Sequence, residues 1–185
     1  MDLGIEIAGL GRATRRKRDF TRTIGCYDPD TRKNKFIRFH KPAAPEMLVL
    51  RFVDLDEPPP SPHHERPELR MPSREHVEKA LTFDRPGERL LVHCHAGISR
   101  SSTVALAIIA NRLGTGREEE ALRLLLAIRP HAVPNLAVLR HADEILGNGG
   151  RLAEIVRAHE GADSPAAIRR RENWEAYLTF YKCLP

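Results

Sequence analysis

Leu90-Leu91-Val92-His93-Cys94-His95-Ala96-Gly97-Ile98-Ser99-Arg100-Ser101-Ser102 is the stretch on which the fold turns. Arg89 to His93 is short and apolar, which suits a buried strand. From Ser99 or Arg100 onward, Val104, Ala105, Leu106, Ile108, Ile109 and Leu113 nearly encircle a helix that Gly114 ends, so this helix is predicted to be buried. Between strand and helix lies a short loop. In that layout the loop N–H groups converge on one point, and the helix N-terminus adds free N–H groups and a partial positive charge. The backbone alone therefore makes an anion site.

The side chains sharpen it. Cys94 leaves the strand at the start of the loop, beneath the converging amides, an environment that favours the nucleophilic form of a thiol. Arg100 stands six residues on, and its planar fork can hold two oxygens of a tetrahedral anion while stabilising charge that spreads over them. Gly97 frees the loop to turn its amides inward. The Ser101 hydroxyl is placed to reach back to the sulfur. A merely structural buried cysteine would leave the Gly, Arg and Ser pattern without a reason.

Working outward, Leu3 to Leu10 reads as a strand ended by Gly9 and Gly11, and Arg12 to Asp19 as one or two helical turns. Arg22 to Cys26 reads as a second strand, and Met47 to Val53 as a buried one. Asp54 to Pro72 carries Pro58, Pro59, Pro60, Pro62, Pro67 and Pro72, a spacing that helix and central strand both reject. It is predicted to be an exposed loop, and loops of that length inside a domain are often functional. Ser73 caps a helix to about Phe83. Thr115-Gly116-Arg117-Glu118 matches a capping box, Pro134 opens a helix to about Leu146, and Leu152 to His159 is another. Ser164-Pro165 starts the last helix, whose Ile168, Trp174, Tyr177, Leu178 and Tyr181 form an apolar stripe for docking. Strands alternating with helices, then helices alone, predict an α/β class. One domain over 1–185 is expected, with its core at about 47–146 and a helical extension at 150–185.

The 185 residues are 41% hydrophobic and 30% charged, and no apolar run reaches the roughly 18 residues that span a bilayer. The N-terminus lacks signal-peptide character. Three cysteines, Cys26, Cys94 and Cys183, are an odd, widely spaced set that suits a reducing compartment, so a cytoplasmic location is expected. The net charge of +5 is concentrated in Arg12, Arg15, Arg16, Lys17 and Arg18 and in Arg32, Lys33, Lys35 and Arg38. Without interleaved aromatics this reads as a solvated basic surface that steers anions, with no specific nucleic-acid binding expected. His63-His64 has no acidic or cysteine partner at ligand spacing, so neither a metal nor a cofactor is expected.

His93-Cys94-His95-Ala96-Gly97-Ile98-Ser99-Arg100-Ser101 resembles the signature loop of protein tyrosine and dual-specificity phosphatases, His-Cys-x-x-Gly-x-x-Arg-Ser/Thr, at every fixed position. The Ala-Gly-Ile-Ser-Arg-Ser run is similar to small bacterial members and to dual-specificity enzymes. The resemblance covers about Met47 to Leu146. It implies a central, mainly parallel sheet flanked by helices, a covalent phosphocysteine at Cys94, phosphate held by Arg100 and by the loop from His95 through Ala96, Gly97, Ile98 and Ser99, no metal, and a phosphorylated protein or peptide as substrate. It also implies an upstream aspartate as proton donor to the leaving group. Asp54, Asp56 and Glu57 stand in that region. The alternation Leu50-x-Phe52-x-Asp54 releases Asp54 at the strand end, which favours it over Asp56. His93 is either a support for the thiolate or a satisfied core histidine. Asn135 is either a brace for the phosphate loop, as in the family, or an ordinary residue of a helix's first turn. Phosphotyrosine, with some tolerance for phosphoserine and phosphothreonine, is the expected substrate. A catalytically idle phosphate-binding module and a phosphatase of RNA ends or nucleotides are the alternatives. Rhodanese-like phosphatases and arsenate reductases share a Cys-x5-Arg loop, but the former usually lack such a loop acid and the latter need resolving cysteines.

Overall fold

The computed structural model describes residues 3–37, 46–60, 63–161 and 164–181. Strands β1 (Ile5–Gly9), β2 (Arg22–Tyr27), β3 (Glu46–Arg51) and β4 (Leu90–Cys94) form one sheet in the order β1-β4-β2-β3, with every neighbouring pair parallel. β4 is buried along its whole length, and it is flanked on both sides, Gly9 lying opposite Cys94 and Gly25 opposite His93. This is why Leu90 to Val92 is continuously apolar rather than alternating.

Helix α1 (Leu10–Arg16) follows β1, α2 (Arg74–Phe83) precedes β4, and α3 (Arg100–Leu113) leaves β4. α4 (Glu118–Ile128), α5 (Leu136–Leu146), α6 (Arg151–Glu160) and α7 (Pro165–Phe180) complete the order. Every residue of α3 from Arg100 to Ala110 is buried. Its Val104, Ile108 and Ile109 share one core with Ile24, Leu50, Phe52 and Val92 of the sheet side and with Leu125 and Leu139 of α4 and α5. Each such side chain contributes about 1.5–3 kcal/mol on burial. The start of α3 is thus anchored in the main core of the molecule.

Several expectations change. β1 runs straight into α1, so Gly11 lies inside a helix instead of breaking the chain. The Thr115–Glu118 capping box does not form: Gly116 takes a positive φ of 88°, α4 begins only at Glu118, and the Thr115 hydroxyl donates to the Leu146 carbonyl at 3.3 Å. The Glu118 carboxylate instead accepts from the Gly116 N–H at 2.8 Å. The proline-rich segment is not simply exposed. Its Leu55 and Leu69 are buried in a cluster with Val53 and Leu178, and Met71, Trp174, Tyr177 and Tyr181 pack against it. The apolar stripe of α7 docks there. The prolines exclude helix and ladder but do not exclude burial, and the segment forms two short 3-10 turns, His63–Glu65 and Pro67–Leu69.

Ser164 does cap α7, accepting from the Ala167 N–H, with Pro165 at the first helical position. α5 starts at Leu136 rather than Pro134, because Asn135 is its cap. In the basic N-terminal region Arg12 and Arg16 pair with Glu6. Arg38 and Cys183 lie outside the described residues. Among the described residues no helix is long and apolar enough to cross a membrane, and no three His, Cys, Asp or Glu side chains are grouped to hold a metal ion.

Candidate active site

Cys94 ends β4, 4% exposed, and its Sγ accepts from the Gly97 N–H at 3.1 Å and lies 3.2 Å from Ser101 Oγ. The carbonyls of the loop face outward, each to a partner on another segment or on the following turn. His95 O accepts from Leu10 N–H at 3.0 Å, Gly97 O from Arg129 Nε at 2.8 Å and Ile98 O from Val133 N–H at 2.9 Å. Ala96 O faces Arg129 Nη2, and Ser99 O accepts from the Ser102 and Thr103 hydroxyls. In a trans peptide the C=O and the next N–H point opposite ways. The N–H groups of 96 through 100 are therefore turned inward, over the sulfur.

Two glycines allow this. Gly97 has a φ of 72°, and a Cβ on it would stand 2.3 Å from Gly9 N and 2.4 Å from the Ala8 carbonyl carbon. The loop rests directly on the end of β1. At Gly25, a Cβ would stand 2.8 Å from His93 Nε2, so this glycine makes room for the His93 ring. His93 is fully buried and faces the Tyr27 hydroxyl at 3.3 Å, which itself accepts from Ile37 N–H at 3.0 Å. Burial lowers the His93 pKa to about 4, against a smaller opposing pull from the Cys94 backbone, so the ring is neutral. It supports the strand from within the core.

Arg100 is 5% exposed. Its Nη1 lies 2.9 Å from Asp28 Oδ1 and donates to Phe52 O at 3.2 Å, and its Nη2 donates to Asp28 Oδ2 at 3.2 Å. Its buried Nε has no partner among the described residues. Burial opposes the Arg100 charge, but the oxygens of Tyr177, Asp54 and Asp28 more than offset it and hold the guanidinium protonated. One edge of the fork is thus fixed by protein, and a buried donor is left over, which fits an anion.

Asp54 is half-buried in the same cavity, of about 860 Å³, which Cys94, Arg100, His95 and Trp174 also line. Its Oδ1 accepts from Ser99 Oγ at 2.6 Å and from Asn135 Nδ2 at 3.2 Å. Burial raises its pKa, while Arg100, Ser99 and Asn135 pull the other way. Asp56 is placed differently. Its Oδ2 pairs with Arg170 at 2.6 Å and its Oδ1 accepts from Leu136 N–H at 2.5 Å, so both oxygens are committed. Glu57 is exposed at the rim. Asn135 caps α5 through Val138 N–H and also donates to Leu55 O at 3.0 Å. It braces the Asp54 segment rather than the phosphate loop, which its backbone N–H reaches only through Thr103 Oγ1.

The structure brings in residues that the sequence did not single out. Asp28 was legible only as part of a turn. Arg129 holds the loop carbonyls. Tyr177, read as a packing residue, also donates its hydroxyl to Asp28 Oδ1 and accepts from Asp54 N–H at 3.2 Å.

No family model matches the chain. Over 129 residues it is 34% identical to the dual specificity protein phosphatase 15 of Mus musculus, an alignment that covers 65% of the chain and 51% of that relative. The Rattus norvegicus counterpart is 36% identical over the same shares. The chain thus spans about half the length of the curated relatives it matches. Among solved structures it is similar to DUSP15, with a TM-score of 0.54 at 20% identity, covering 86% of this chain and 94% of that one. PTPMT1 in complex with PI(5)P gives 0.55 at 20% identity, over 86% and 96%. Tk-PTP in its active form gives 0.53 at 20% identity, over 77% and 90%. The likeness in fold therefore extends beyond residues 47–146, into the flanking elements.

Proposed function

We propose that this chain, which belongs to the dual-specificity phosphatase superfamily, is a protein phosphatase acting on phosphotyrosine, with some tolerance for phosphoserine and phosphothreonine. The observation that carries the reading is the meeting, in one cavity, of Cys94 Sγ, inward-facing loop amides, the unpartnered Arg100 Nε and the half-buried Asp54.

In the first step the Cys94 sulfur attacks phosphorus in line. The P–O ester bond breaks, and its electron pair leaves with the alcohol oxygen, which takes the proton of the Asp54 carboxyl. Arg100 and the loop amides hold the phosphoryl oxygens as charge spreads over them. In the second step water attacks the phosphocysteine, Asp54 takes its proton, and the S–P electron pair returns to sulfur. The Ser101 hydroxyl, 3.2 Å from that sulfur, is placed to donate to it as it departs. Asp54 is preferred to Asp56 because both oxygens of Asp56 are already used. His95 and Ala96 occupy variable loop positions where a phosphoinositide-binding loop would gain from lysine, so a phosphopeptide is favoured over the lipid class seen in the PTPMT1 complex.

The test is hydrolysis of para-nitrophenyl phosphate from pH 4 to 8, wild type beside Cys94→Ser and Arg100→Lys. Activity is expected to vanish in the first variant. In the second, which lacks the planar fork, it should fall by about 10²–10³. Tight phosphate binding without turnover by the folded, reduced wild type would replace this reading with a phosphate-binding module.

A further inference from the structure

The C-terminal helix does more than cover the proline-rich segment. Three of its side chains, on successive turns, bond to the segment that carries Asp54. Arg170 Nη1 pairs with Asp56 Oδ2 at 2.6 Å, Asn173 Nδ2 donates to the Asp54 carbonyl, and Tyr177 Oη accepts from the Asp54 N–H at 3.2 Å. The two backbone groups of Asp54 are therefore held by one helix face. Tyr177 also donates to Asp28 Oδ1, and that same oxygen lies 2.9 Å from Arg100 Nη1. One hydroxyl joins the backbone of Asp54 to the carboxylate that fixes Arg100.

We propose that Tyr177 is a positioning residue of the dephosphorylation reaction, setting the Asp54 carboxyl in register with the Arg100 clamp, with Asn173 holding the peptide on the other side of the same residue. Packing alone does not require this arrangement. A phenylalanine would fill the cluster of Val53, Leu55, Leu69 and Leu178 as well as the tyrosine ring does. The hydroxyl is spent on two polar partners at the mouth of the cavity, both within the constellation that holds phosphate and donates the proton. Burial, with Asp28 and Asp54 adding to it and Arg100 opposing, pushes the Tyr177 hydroxyl far above its ordinary range, so it stays a donor. A misplacement of a proton donor by about 1 Å can cost roughly 10²-fold, so a bond that fixes its backbone acts on rate without touching substrate.

The inference rests on Asp54 being the proton donor, and the experiment separates the two. kcat/KM is measured for 2,4-dinitrophenyl phosphate, whose leaving group needs little protonation, and for phenyl phosphate, whose leaving group needs it. Asp54→Asn, Tyr177→Phe, Asn173→Ala and the Asp54→Asn/Tyr177→Phe double variant are compared with the wild type. Tyr177→Phe is expected to lose roughly ten- to hundredfold on phenyl phosphate and less than twofold on the dinitrophenyl ester. Added to Asp54→Asn, it should change the leaving-group dependence no further. Asn173→Ala, outside the apolar cluster, gives the same comparison should Tyr177→Phe fail to fold. Equal losses on both esters would make the role structural and overturn the proposal. So would an unchanged Tyr177→Phe beside a leaving-group-dependent Asp54→Asn. If Asp54→Asn itself shows no such dependence, the assignment of the acid fails first and the positioning role falls with it.

Discussion

The Ser99 hydroxyl stands at the N-cap of α3 but makes no cap bond; it donates to Asp54 Oδ1 at 2.6 Å. A cap bond is worth about 1 kcal/mol to a helix. Here the hydroxyl goes to an acid instead, and the free helix N–H groups are left to the anion site. The bond favours the charged carboxylate, so it pulls the Asp54 pKa down against the burial that raises it. Ser99→Ala removes the downward pull. The descending, alkaline limb of kcat/KM, set by loss of the proton donor, is expected to move to higher pH, with the acid limb unmoved. A pH–rate profile for the two proteins checks this, and a shift to lower pH would contradict it.

Gly97 meets the end of β1 too closely for any side chain. A Cβ there would stand 2.3 Å from Gly9 N, at a φ of 72°. Gly97→Ala must push the loop off β1 and strain the backbone, at a cost of about 1–3 kcal/mol. The expected result is a melting point lower by several degrees together with loss of activity, since the inward amides shift with the loop. A variant that melts and turns over like the wild type would show that the loop has room to move.

The Cys94 loop was legible because strand, loop and helix are contiguous, and the residues between 90 and 113 carry both the packing and the chemistry. Preference for Asp54 over Asp56 followed from alternation, Leu50 and Phe52 being buried where the pattern puts them. Tyr177 and Asp28 were not legible as partners, because 149 positions separate them and no local periodicity links a turn to a terminal helix. The aromatic spacing on α7 announced a face that docks, but not what its hydroxyl would meet. The burial of Leu55 and Leu69 was hidden for the same reason: their cover comes from the far end of the chain. At Thr115, a capping motif matched in residue type, yet the positive φ of Gly116 spends that turn before α4 begins.

Asp54 should cost stability at neutral pH. Its folded-state pKa is raised, chiefly by burial, so between its unfolded and folded values the native protein binds more protons than the unfolded chain. The stability it contributes is complete below the ordinary carboxylate range and is lost as pH rises through the raised value. Asp54→Asn keeps a neutral group of similar shape at every pH. It is expected to melt a few degrees higher than the wild type at pH 7 and to lose that advantage near pH 4. Stability given up at a site that does chemistry is a common exchange. Thermal melts of both proteins at the two pH values decide it, and a variant less stable at pH 7 would count against the burial argument.

His93 works in the opposite sense. Its folded-state pKa is lowered to about 4 by burial, below the unfolded value of about 6.5. Between these values the unfolded chain binds the extra proton, so stability rises with pH through this window and is lost as pH falls through it. The full difference amounts to roughly 3 kcal/mol at most, because nearby groups relax when the ring is charged. His93→Gln retains an acceptor for the Tyr27 hydroxyl but cannot be protonated. The variant is expected to be less stable than the wild type at pH 7, where the imidazole fits beside Gly25, and to narrow that gap steadily as the pH is taken from 7 to 4. Urea unfolding midpoints at four or five pH values measure the gap directly. Parallel curves for the two proteins would mean that His93 takes up its proton as readily in the folded protein as in the unfolded chain, and the buried-imidazole account would not survive that result.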